Sequence, residues 1–185
     1  MTVEEVVITA AKLLGIEREV ALYINENANA GKDKAERLLT CFNLVESELA
    51  LDYFPLFEKE RCVVQKGKVA YEQFSQTPLR VSAVLDEMAN AVSFKVYPTE
   101  LRVDSSLQNV VVEYAYLPLE KNLRNESDYQ SGVSVGLVAY GVAAEYSAML
   151  GLYAESAFWK KKYKEAIAAA FKMKRGGRVQ SRKWI

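Results

Sequence analysis

The chain contains no histidine. Without imidazole, the common zinc sites, the Ser–His–Asp triad and the two-histidine iron triad lose their usual ligand or base. Cysteine is scarce. Cys41 and Cys62 are the only two, with no CxxC spacing, and they read as small core hydrophobes. No glycine-rich phosphate loop or metal-ligand cluster stands out, so neither an enzyme nor a cofactor is expected. Residues 2–7, TVEEVV, lack the basic and apolar regions of a secretory signal. Net charge is missing too, because 24 Lys and Arg balance 24 Asp and Glu.

What is present is an ordinary globular composition. Half of the 185 residues are hydrophobic and 26% are charged, enough for one sizeable core with room for an inserted subdomain. The balanced charge is unevenly spread. Residues 157–185 hold ten basic residues and one acid, a net +9, so residues 1–156 carry −9. An acidic body with a basic end is a statement about partners rather than about fold.

Periodicity orders the chain. Thr2 and Glu5 form a capping box ahead of Val3, Val6, Val7, Ala10, Leu13 and Leu14 at helical spacing, and Gly15 ends that helix. A second helix is predicted over 17–28 and a third over 33–53. The third carries the stripe Leu38, Phe42, Val45 and Leu49 and ends before Pro55. Beyond residue 60 the pattern becomes short β-branched and aromatic runs at 62–65, 69–74, 79–85, 91–97 and 110–116, which predicts a small antiparallel sheet or barrel. Ser127 or Asp128 is read as the cap of a helix reaching residue 150, and a last helix is read over 153–172 with Trp159, Tyr163, Ile167, Ala170 and Phe171 inward. The expected class is α+β. A helical bundle formed by residues 1–57 and 128–174 carries a β-rich insert at 58–127 and a basic, extended C-terminal arm at 175–185.

Three features invite a functional reading. GVSVGLVAYGVAAEYSAML at 132–150 approaches the length of a membrane span. However, Glu145 and the small residues within it fit a buried central helix better, so no membrane association is expected. Gly132, Gly136 and Gly141 would admit neighbouring backbones from the same chain or from another subunit. Glu145 reads as a general base, as an ion-pair partner or as a residue at a subunit boundary; with no nucleophile or metal beside it, catalysis is the weaker reading. Lys160, Lys161, Lys162 and Lys164 form a solvated basic face. The arm RGGRVQSRKWI is expected to be disordered in isolation, with Arg175, Arg178, Arg182 and Lys183 as charges and Trp184 and Ile185 as apolar anchors for a partner.

The whole layout resembles the head-to-tail adaptor (connector) proteins of tailed bacteriophages and prophages, in particular the tubular-tail adaptors of podophages. The likeness rests on VVITAAKLLG, LLTCFNLVESELALDYFPL, GVSVGLVAYGVAAEYSAMLGLYAESAFW and the terminal SRKWI, and it spans essentially the full chain. The resemblance implies a structural virion protein of the head–tail neck, made in the host bacterial cytoplasm. It implies a homo-oligomeric ring, usually of twelve copies, beneath the portal protein and above tail or nozzle proteins. DNA would pass through its channel without sequence-specific binding. By position, Arg175, Arg178, Arg182, Lys183, Trp184 and Ile185 would engage the portal, while Gly132, Gly136, Gly141 and Glu145 would serve subunit or helix packing. The alternative is a nucleic-acid-binding protein that uses the basic tail. The −9 body and the lack of recognition motifs weigh against it.

Overall fold

A computed structural model of the chain describes residues 1–26 and 29–174. The fold is α+β, with five α-helices and two three-stranded antiparallel sheets among these residues. It divides into two compact units. One combines Met1–Glu46 with the chain from Glu120 onward, and the other is Ser47–Leu119. The division therefore falls earlier than residues 57/58 and 127/128 at both ends. At the first boundary, the last residues of the third helix and the turn after it group with the strands. The early finish arises because the loop after Leu119 is hydrogen-bonded to the helical unit. Arm residues 175–185 lie outside the described residues.

In the helical unit, α1 (Val3–Leu13) begins as the capping box predicts, with Thr2 Oγ1 accepting from the Glu5 N–H at 3.1 Å. Gly15 (φ 71°) turns the chain into α2, Glu17–Glu26. The third helix, α3 (Lys32–Glu48), buries Leu38, Cys41, Phe42 and Val45. It continues into a wider π turn at Leu49–Tyr53, where the Phe54 N–H donates to the Leu49 carbonyl at 2.6 Å. The fourth helix, α4, runs Val135–Met149 and starts later than the sequence implies. Ser134 is its cap, accepting from the Leu137 N–H at 3.2 Å, and Ser127 is engaged elsewhere. Leu137, Val138, Ala139, Gly141, Ala144 and Ser147 are buried on nearly every side of α4, which packs between α1 and the last helix, α5, Tyr153–Lys174. Burying a Leu- or Val-sized side chain contributes about 1.5–3 kcal/mol, so this helix anchors the unit.

The second unit holds the sheet order β1–β6–β3, with β1 Leu56–Val63, β3 Pro78–Leu85 and β6 Asn109–Tyr116. Strand β6 is central and buries Val110, Val112 and Tyr114 by alternation, as its pattern predicts. Strand β1 begins at Leu56 rather than residue 62. It is an edge strand, and its charged stretch is held by pairs such as Lys59 with Glu113, in register and 2.8 Å apart. A smaller sheet has the order β2–β5–β4, from Lys68–Ala70, Glu100–Arg102 and Lys95–Val96. The predicted strand at 91–97 is reduced to two residues, and β5 has no counterpart in the sequence reading. Lys66 (φ 53°) and Gly67 (φ 75°) form a two-residue turn between Gln65 and Lys68. Consecutive positive φ values fit a type I′ hairpin, for which glycine is suited.

Candidate interaction surface

Helix α5 is the most exposed long element of the helical unit. Tyr163 and Ile167 are buried, with Trp159 and Ala170 partly covered beside them. Phe171, expected inward, is 38% exposed. The opposite face carries Ala157, Lys160, Lys161, Lys164, Glu165 and Ala168, all of them exposed. Successive positions three and four apart place these residues on one side of the helix. Among the described residues, Lys160, Lys161 and Lys164 make no ion pair, while Lys162 lies 3.8 Å from Glu165. Near the start of α5, Trp159 stacks on Tyr140 with ring centroids 6.0 Å apart, and Phe158 meets Trp159 edge-on at 4.9 Å. Phe158 and Tyr153 remain largely exposed.

The small-residue positions separate on inspection. At Gly141 an added Cβ would stand 2.8 Å from Val45 Cγ1 and 3.0 Å from Tyr163 Cε2, so α3, α4 and α5 converge there. At Gly136 an added Cβ meets nothing within 4 Å, so the close approach expected within one chain does not occur. Gly132 precedes α4, with φ 79°, and is not helical. Glu145 is partly exposed on α4. The portal-binding positions proposed from the sequence, Arg175, Arg178, Arg182, Lys183, Trp184 and Ile185, lie outside the described residues.

The buried carboxylate is Glu46, which the sequence reading passed over in favour of Glu145. Glu46 is 1% exposed on α3. It accepts from Ser127 Oγ at 2.6 Å and from the Asp128 N–H at 3.0 Å. Burial raises its carboxyl above the ordinary range, and the two hydrogen bonds and the Lys121 charge counter part of that rise. Beside it, Asn43 donates to the Lys121 carbonyl at 3.1 Å and accepts from the Lys121 N–H at 2.8 Å. The Lys121 ammonium pairs with Asp128 at 2.6 Å. The Thr2–Glu126 bridge and the Val3 N–H to Asn125 carbonyl bond hold the same loop against α1. These contacts lock residues 121–128 onto the helical unit.

Chemistry-bearing groups elsewhere are occupied structurally. Burial pushes the Cys41 thiol up to about 12, with the nearby Glu145 charge adding to it, and pushes Cys62 up to about 11. Such thiols are poor nucleophiles. Burial alone would raise the Glu60 carboxyl, but hydrogen bonds donated by Ser75 and Tyr114 outweigh it and leave the group below the usual range. A carboxylate held that way is a weak base, and its role is to staple the Ser75 loop to the sheet. Among the described residues, no cluster of three or more His, Cys, Asp or Glu is placed to hold a metal, and no helix is long and apolar enough to cross a membrane. No protein-family profile matches the chain, and no curated protein matches it.

Proposed function

We propose that this chain is a head-to-tail adaptor of a tailed bacteriophage or prophage, a structural protein that forms a ring under the portal and joins the capsid to the tail. The observation that carries the reading is the way the charge is divided. A 22-residue helix leads from an acidic body into the sequence RGGRVQSRKWI, with exposed lysines along its outer side. In this reading the basic arm enters an acidic groove of the portal. The body, at −9, discourages retention of DNA passing through the ring. Negative-stain microscopy of the purified chain, alone and with the portal protein of the same phage, tests it. Rings that appear on or beneath the portal support the reading. A portal that recruits no copies across a wide concentration range refutes it.

A second reading has its own support. Lys160, Lys161 and Lys164 share one exposed helix face, a placement that suits phosphates. Steep salt-dependent binding of short duplex DNA by the monomer would favour nucleic-acid binding over the adaptor.

A further inference from the structure

We infer that the outer face of α5 binds the outer face of α2 on a second copy of this chain, so that copies associate head to tail. The two faces complement each other. On α5 the exposed face is small and apolar at Ala157 and Ala168 and is rimmed by Lys160, Lys161, Lys164 and Glu165. On α2 the outer face has half-buried Ala21 and Leu22, rimmed by exposed Glu17, Arg18, Asn25 and Glu26. Each charged rim therefore has the opposite majority sign, and each contains one residue of the minority sign. Glu165 on α5 finds its counterpart in Arg18 on α2. Among the described residues the rim residues on both helices are exposed.

A phosphate backbone fits the α5 face less well. It would leave Ala157 and Ala168 uncovered and would meet Glu165 within the lysine rim. A helix with Ala21 and Leu22 between acidic residues covers those alanines and satisfies both signs. The competing internal contacts are weak. Glu17 lies 3.4 Å from Lys12, and Lys162 lies 3.8 Å from Glu165, both as exposed pairs. Such pairs contribute about 0–1 kcal/mol and exchange readily for new ones. Because α2 and α5 are different surfaces, the contact is heterologous. Every added copy leaves one face of each kind open, which extends the assembly until a rotation closes it. The pairing of faces stands independently, but closure into a ring rests on the adaptor reading.

Charge reversal of the full chain tests the pairing. One variant carries Lys161→Glu and Lys164→Glu; the other carries Glu17→Lys and Glu26→Lys. All four positions are exposed, and circular dichroism confirms that each variant is folded. Sedimentation velocity over a wide concentration range, with electron microscopy on portal, reads assembly. Each variant alone should associate about tenfold more weakly than the wild type or worse. An equimolar mixture of the two should recover assembly, because every α5 then finds an α2 of opposite sign. Variants that assemble as well as the wild type, or a mixture that fails to recover, overturn the α5–α2 contact even if wild-type rings form. Loss of duplex-DNA binding in the lysine variant with unchanged self-association assigns the face to nucleic acid and likewise overturns it. A wild-type chain that stays monomeric both free and on portal overturns the contact and the ring together.

Discussion

Replacement of Glu46 tests the lock that holds residues 121–128 on the helical unit. Glu46→Ala strands two donors, the Ser127 hydroxyl and the Asp128 N–H, in a site that is 1% exposed. Each stranded buried donor costs about 1–3 kcal/mol. Removing a desolvated carboxylate returns part of that loss, so the expected net destabilisation is about 3 kcal/mol. Glu46→Gln keeps an oxygen acceptor for both donors and should cost about 1 kcal/mol. Urea unfolding followed by circular dichroism measures both.

The pH dependence gives an independent readout. A carboxyl whose folded pKa is raised binds more protons folded than unfolded, so stability falls as pH rises through that interval. The Glu46 contribution is fully present below the unfolded value and is lost as pH rises through the raised folded value. Carboxylates such as Glu60, with lowered values, slope the other way, so the informative curve is the difference between wild type and Glu46→Gln. That difference should narrow as pH rises across the interval. A Glu46→Ala protein within about 0.5 kcal/mol of wild type would falsify the lock, and a flat difference curve would refute the burial effect on Glu46.

Other positions give simpler outcomes. Gly136→Ala should raise stability by about 0.5–1 kcal/mol, because helix propensity improves and no atom lies within 4 Å of the new Cβ. Gly141→Ala should lower it by about 1–3 kcal/mol through its approach to Val45 and Tyr163, and equal melting temperatures for the two variants would contradict the packing. Ser147→Ala should stabilise by about 1 kcal/mol, since among the described residues the buried Ser147 hydroxyl has no hydrogen-bond partner, and a clear loss in thermal melts would show that it has one. Cys41 and Cys62 should resist a thiol-specific disulfide reagent at pH 8 while folded and react in urea; rapid labelling of the folded chain would contradict their burial.

The elements that could be read from sequence are those in which one local signal dominates. Thr2, Glu5 and the valine spacing define α1 because cap and stripe agree. Strand β6 was legible because Val110, Val112 and Tyr114 alternate inward. The edge strands were not. In β1 the run from Phe57 to Arg61 is exposed or only partly covered, so it carries no hydrophobic alternation and is defined by its partner β6. Strand β5 is Glu-Leu-Arg, with Glu100 held by Lys68 at 3.0 Å and Arg102 at 2.8 Å; only Leu101 points to a core. It pairs on one side with the two-residue β4 nearby and on the other with the distant β2, and neither pairing leaves a hydrophobic alternation in so short a strand.

The same distinction explains the two carboxylates. Glu145 drew attention because it interrupts an apolar run, yet α4 leaves that position partly open. Glu46 lies four residues beyond Phe42 and eight beyond Leu38, on the face that the α3 stripe buries. That spacing was the available signal: an acid at an inward helical position requires a donor from elsewhere. The donor, Ser127, is 81 residues away and by composition reads as a helix cap. Serine suits either task, and only the fold decides between them. Once Glu46 takes the Ser127 hydroxyl, the cap of α4 passes to Ser134, and the intervening residues become the loop that closes the helical unit. One buried acceptor therefore accounts for both the missed carboxylate and the late start of the central helix.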